Sequence, residues 1–188
     1  MPLANKQWRP ISVHEMVLEF LRSERHRFPS EVVSRIDTPN LNDGNENFDR
    51  LRMLYVIRAP FIAEIPPDTQ WFEVTDLTDQ DLPQLLVVAR CGWDDDANDA
   101  NELLKVGRRR PQELAKPFTS WAKLILWGHT KTGPFTIFEG NNRLTAYVSS
   151  ALNSGLRVPV IIGLSPTPCF WHKPDPARFI CQDLWRQG

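Results

Sequence analysis

Cysteine is scarce and poorly spaced for metal or disulfide chemistry. The three cysteines, Cys91, Cys169 and Cys181, are an odd number and form no Cys-x-x-Cys pair. That argues against both a disulfide framework and a zinc ribbon. The four histidines, His14, His26, His129 and His172, include no His-x-x-x-His spacing, so no metal cluster is expected. No apolar run approaches the ~18 residues that read as a membrane span. The opening Met-Pro-Leu-Ala-Asn-Lys has no apolar signal core. The expectation is a cytoplasmic protein without a membrane partner. An excess of one charge is also missing: the net charge is −1 and the pI about 6.4. Such a chain is not primed for non-specific DNA binding, although a local basic patch stays open.

Apolar residues make up 41% of the chain and charged residues 24%, ordinary values for a globular protein. The 188 residues suit one domain with an arm or small satellite. A chain of this size buries roughly 70% of its unfolded surface, enough for a core without staples. Seven tryptophans supply large buried area first and pocket lining second.

Ser12-Val13-His14-Glu15 has the form of a capping box. Met16, Val17, Phe20 and Leu21 follow at helical spacing, predicting a helix to about His26. Ser30 caps a second short helix through Val33 and Ile36. Residues 37–47 are rich in Asn, Asp, Gly and Pro and read as a loop or hinge. The chain is therefore divided into a helical N-terminal segment, 1–44, and an α/β domain, 45–188. Phe48, Leu51, Leu54 and Tyr55 predict a third helix that stops before Pro60. Trp71–Val74 reads as a short strand. Leu85–Ala89 is too short to classify, and Thr78 or Asp79 is a candidate helix cap. Asp94-Asp95-Asp96 lacks the alternate spacing of a calcium loop and reads as solvated. Arg108-Arg109-Arg110 is the one basic run, either a solvated face or a second phosphate contact. Lys123–Trp127 and Pro134–Glu139 predict a hairpin around the Gly128–Gly133 turn. Leu144 to Leu152 predicts a helix stopped at Gly155, and Val158–Ile162 a further strand.

Between strand and helix stands Glu139-Gly140-Asn141-Asn142-Arg143. A helix start leaves backbone N–H groups unpaired and carries about half a positive charge, so anions settle there. Gly140 allows close backbone approach. Asn141 or Asn142 can cap the helix and donate to phosphate oxygens. Arg143 offers a planar fork for two of them. The helix terminus supplies roughly 0.3–1 kcal/mol and one charge-assisted bond about 1.5–3 kcal/mol. Together these give millimolar binding at best. Another cation, a metal or a stacked base is needed, and Arg108–Arg110, Lys123, Lys131 and the tryptophans are the candidates.

Phe135 to Tyr147, followed by Gly155 and Val158-Pro159-Val160, resembles the core of the ParB/sulfiredoxin superfamily over about residues 134–165. The resemblance implies a small mixed sheet with flanking helices, an α/β (α+β) fold. It also implies that Gly140, Asn141, Asn142 and Arg143 hold the phosphates of a nucleotide such as ATP, ADP or CTP, with Glu139 beside them as the candidate catalytic carboxylate. Mg²⁺ is implied only where a nucleoside triphosphate is used. Two departures narrow the activity. Asn141 stands where sulfiredoxin has its cysteine, which argues against sulfinic-acid reduction. About two dozen residues follow Ser165, too few for the DNA-binding segments of a partition protein. A phosphotransferase or nucleotide hydrolase survives, with Glu64 and Glu73 as further candidate bases.

Glu139-Gly140-Asn141-Asn142-Arg143 is also similar to the end of the Fic adenylyl-transferase loop. Phe135 occupies the place of the histidine base, so that reading describes a degenerate Fic-like protein. The remaining alternative is a non-catalytic nucleic-acid-binding or interaction module, resting on Arg108–Arg110 and on the N-terminal helices. His14, His129 and His172 each read as solvated.

Overall fold

The computed structural model describes residues 3–78, 81, 84–87, 123–140, 158–169 and 171–172. The described elements are β1 (Trp8–Ile11), α1 (Val13–Ser23), α2 (Ser30–Asp37), α3 (Gly44–Ile62), β2 (Gln70–Leu77), β3 (Leu85–Val87), β4 (Leu124–Gly128), β5 (Phe135–Glu139) and β6 (Val158–Leu164). The six strands form one mixed sheet in the order β1-β2-β6-β4-β5-β3, so the α/β class holds. β6 pairs antiparallel with β2 and parallel with β4, and β4 pairs antiparallel with β5 as the predicted hairpin.

Strand alternation sorts the apolar side chains onto two faces. Leu124, Leu126, Phe135, Ile137, Val160 and Ile162 enter one cluster, which Leu3 joins from the N-terminus. Ile125, Trp127, Phe138 and Ile161 enter the other, where Met16, Val17, Phe20 and Leu21 of α1 and Leu54 of α3 cover them. A register shift in β2 between Val74 and Leu77 lets both residues face the same cluster despite their odd separation. Every residue of β4 is buried, as expected of a strand covered on both sides.

The capping box forms as read: Glu15 N–H donates to Ser12 Oγ at 3.2 Å, and Ser12 N–H donates to Glu15 Oε2 at 2.7 Å. The N-terminal stretch is not wholly helical, however. Trp8–Ile11 is an edge strand on β2, with Arg9 opposite Glu73. Its four residues are too few to show a period. The loop also ends earlier than expected, because Asp43 caps α3 by accepting from Asn45 and Glu46 N–H. Arg50, almost fully buried, holds that loop through Asn40 O at 3.0 Å, Asn47 Oδ1 at 2.6 Å and Glu46 Oε2 at 2.8 Å. The boundary expected after residue 44 falls in the first turn of α3.

α3 does not stop before Pro60. It continues to Ile62 through a break at Arg58 (φ −138°, ψ 27°). A proline has no N–H to donate to the residue four before it, and here that deficit produces a kink rather than an end. Leu85–Val87, left unclassified by sequence, is a strand parallel to β5. The helices expected near Pro111 and over 144–152, the acidic loop and Arg108–Arg110 lie outside the described residues.

Asp81 fastens the N-terminus to this frame. It is fully buried and accepts from Leu3 N–H at 2.8 Å, Thr78 N–H at 2.9 Å, Thr78 Oγ1 at 3.0 Å and Lys6 Nζ at 2.6 Å. The Lys6 side chain is only 7% exposed. Removing one partner of a buried pair strands the other charge, at a cost of about 3–5 kcal/mol. Asp81→Ala is therefore expected to lose about that much stability in urea unfolding. A loss of less than about 1 kcal/mol, the scale of exposed pairs, would show that this network does not anchor the terminus.

Candidate functional site

β5 ends in Glu139 and Gly140. Gly140 is buried and has φ +101°, a region that side chains rarely enter. Glycine at this position thus has a backbone reason beyond a generic strand end. Asn141, Asn142 and Arg143 lie outside the described residues, so only the first two members of the expected site are placed.

The Glu139 side chain is 15% exposed, and Arg58 Nη2 lies 4.0 Å from its Oε2. The kink in α3 occurs at Arg58 itself. Its guanidinium also donates to Glu24 Oε1 at 3.3 Å and lies over the Phe20 ring at 5.8 Å. Arg27 Nε stands 2.5 Å from Glu24 Oε2, yet out of line for a hydrogen bond, since that buried oxygen has none. Phe138 packs beside Phe20 at 5.6 Å. This end of the sheet therefore gathers two carboxylates and two guanidinium groups around an aromatic floor.

Among the described residues Arg58 is the cation that lies beside Glu139, and sequence reading missed it. The cue was an arginine two positions before a proline inside an apolar helical pattern. The lysines proposed for that role are engaged elsewhere. Lys123 Nζ is 2.6 Å from Glu73 Oε1. Lys131 lies over Trp8 and Phe72, at 5.1 and 5.5 Å, in the turn before β5. A five-residue strand separates that turn from Gly140 by roughly 16 Å.

Of the three candidate bases, Glu139 is the one beside Gly140. Glu73 lies on β2, in contact with Arg9 and Lys123. Burial alone would raise its pKa, but the hydrogen bonds from Lys123 and Arg9 outweigh burial and hold it below the usual range. A carboxylate so stabilised as an ion is a poor proton acceptor. Glu64 is exposed in the turn after α3, and its carbonyl accepts from Cys169 Sγ at 3.4 Å. Burial pushes the Cys169 thiol up to about 11, so it stays protonated and unreactive near neutral pH.

The opposite end of β5 carries a second cluster. His129 and His172, both read as solvated, come together there with ring centroids 4.9 Å apart. The Trp127 ring lies 5.0 Å from each. His129 Nδ1 is 2.9 Å from the Ser165 carbonyl and must donate to it. His172 Nδ1 and Thr136 Oγ1 are 2.7 Å apart. His172 is buried, and its Nε2 has no partner among the described residues. Ser165 Oγ donates to Asp68 at 2.7 Å and Thr167 Oγ1 at 2.9 Å, which holds the Asp68 carboxyl below its usual range. Sequence separation of 43 positions concealed the histidine pair, whose members meet only because β4 and the segment after β6 end on the same side of the sheet.

Burial, with the neighbouring His129 adding to it, lowers the His172 pKa from 6.5 to about 4. Between those values the unfolded chain binds a proton that the folded chain refuses. Stability is then intact above pH 6.5 and declines as the pH falls toward 4. The wild type is expected to lose up to about 3 kcal/mol more than His172→Asn across this window, read from urea unfolding at each pH. Parallel profiles for the two proteins would show that His172 is not held neutral by the fold. Compared with known proteins, the chain matches no family model, no curated protein and no solved structure.

Proposed function

We propose that the chain binds a nucleotide through its phosphates at the end of β5, in the manner of a ParB/sulfiredoxin-type domain, with Gly140, Asn141, Asn142 and Arg143 as phosphate contacts. The observation that carries this reading is the buried, positive-φ Gly140 directly after Glu139, with Arg58 4.0 Å from that carboxylate. An anion site beside a lone acid would repel its ligand. A guanidinium at ion-pair distance offsets that charge and can itself donate to a phosphate oxygen.

Arg58 also repairs the affinity shortfall. A second charge-assisted contact adds about 1.5–3 kcal/mol. The total then reaches roughly 3–7 kcal/mol, which moves the dissociation constant from millimolar toward about 10 µM. Glu139 is the candidate proton acceptor for hydroxyl or water attack on a phosphate, the role a carboxylate plays in phosphoryl transfer. Where the ligand is a triphosphate, a bound Mg²⁺ would neutralise phosphate charge, and Glu139 would be the carboxylate to hold it.

A thermal-shift panel of ATP, ADP, CTP, GTP and AMP, with and without Mg²⁺, tests this on the wild type, Arg143→Ala and Arg58→Ala. A ligand at about 100 times its dissociation constant should stabilise the fold by roughly 2.7 kcal/mol. One nucleotide is expected to give that shift, with the shift abolished in Arg143→Ala and reduced in Arg58→Ala. A wild type that responds to none of the five, or a shift that survives both substitutions, would remove the β5 end as a nucleotide site.

A further inference from the structure

The two imidazoles at the N-terminal end of β5 take no part in the phosphate site at its other end. Each ring is fixed through its Nδ1. His129 Nδ1–H donates to the Ser165 carbonyl at 2.9 Å, since a carbonyl can only accept. Ser165 is itself held, with its N–H on the Gly128 carbonyl at 3.2 Å and its hydroxyl on Asp68 at 2.7 Å. His172 Nδ1 lies 2.7 Å from Thr136 Oγ1. A hydroxyl takes either role, so the other ring nitrogen decides the tautomer. His172 Nε2 is shielded from solvent and has no partner among the described residues. A buried N–H without an acceptor is rarer than an acceptor short of a donor, which places the His172 proton on Nδ1. Both rings are then Nδ1–H tautomers, and both Nε2 atoms carry lone pairs.

Histidines that bind a metal ion are arranged in this way. A ligating imidazole gives its second N–H to a carbonyl, carboxylate or similar group, which fixes the tautomer and the ring orientation. The spacing agrees. With Nε2 about 2.0–2.1 Å from an ion, each ring centre lies roughly 3.2 Å from it, so two imidazoles at about 90–110° have centres roughly 4.5–5.2 Å apart. The observed separation is 4.9 Å. Nitrogens that share one ion at such short range leave no gap wide enough for water between them, in keeping with the shielded Nε2 of His172.

The donor type sets the class of ion. Neutral imidazole suits zinc, nickel and copper, whereas Mg²⁺ and Ca²⁺ take oxygen ligands. Among the described residues no group of three His, Cys, Asp or Glu side chains gathers here, so the remaining positions on the ion fall to water or an incoming ligand. Trp127, 5.0 Å from each imidazole, walls the pair on its inner side. His129 is only half-buried and gives the pair its access to solvent.

We propose that His129 and His172 bind a divalent late transition-metal ion through their Nε2 atoms, with the Ser165 carbonyl and the Thr136 hydroxyl as positioning groups. This site is independent of Gly140 and of the nucleotide reading.

Calorimetric titration of the chelator-stripped full chain with ZnCl₂ tests the proposal. One Zn²⁺ per chain is expected at this site, and MgCl₂ or CaCl₂ in excess should not displace it. His129→Gln and His172→Asn should each weaken that binding at least tenfold. Thr136→Val removes the hydroxyl that fixes His172 and should weaken it about 10–100-fold. Co²⁺ in place of Zn²⁺ is expected to give visible ligand-field bands without a thiolate charge-transfer band, which separates this site from the cysteines. A wild type that takes up no Zn²⁺, or binding that survives both histidine substitutions, overturns the proposal. Long-range ¹H–¹⁵N spectra of the metal-free wild type keep the test independent of how the variants fold. Both rings are expected as Nδ1–H tautomers, and a His172 ring protonated on Nε2, donating to the face of Trp127, would overturn the proposal equally.

Discussion

The pairing of β6 on both of its edges is the constraint on which the rest of the structure depends. β6 joins β2 on one side and β4 on the other. Without it the sheet falls into a β1-β2 ribbon and a β4-β5-β3 ribbon, and neither has a face broad enough to cover α1 and α3. Gly163 shows how closely this strand is packed. A Cβ at that position would come within 2.8 Å of the Trp71 ring on β2, so the sequence keeps a glycine in the strand interior, where one is otherwise unfavourable.

Once β6 is in register, the two ends of β5 acquire opposite characters. At its C-terminal end, Glu139 meets the Arg58 guanidinium of α3, which also pairs with Glu24 after α1. At its N-terminal end, Thr136 meets His172 among tryptophans, where burial disfavours charge. The aromatic ring of Trp171 connects the two ends, stacked on Phe138 at 5.4 Å and edge-on to Trp127 at 5.6 Å. The sheet thus separates an end that gathers ionised side chains from one that gathers buried imidazole and indole rings.

α3 links the sheet to the outer surface. Its kink at Arg58 turns the guanidinium toward Glu24 and Glu139, while the turns before the kink display Phe48, Tyr55 and Val56 outward. The same helix therefore brings Arg58 to Glu139 with its last turns and leaves apolar side chains exposed along its earlier ones.

Sequence alone determined the local features whose physics is contained within a few residues. The Ser12–Glu15 capping box, the helical period of Met16 to Leu21, the β4–β5 hairpin and the strand after Val158 all follow from short-range hydrogen bonding and side-chain period. Gly140 was read from sequence as a point of close backbone approach, and its positive φ came only from the structure. Tertiary structure decided what depends on pairing across long separations. It made Trp8–Ile11 a strand, because only β2, more than fifty residues away, supplies its hydrogen-bond partners. It carried α3 past Pro60, because packing against α1 and the sheet outweighs one missing hydrogen bond. It chose Arg58 over Lys123 and Lys131 as the cation near Glu139, and it brought His129 to His172. Those outcomes are set by which strand lies beside which, and no local pattern in the chain encodes that order.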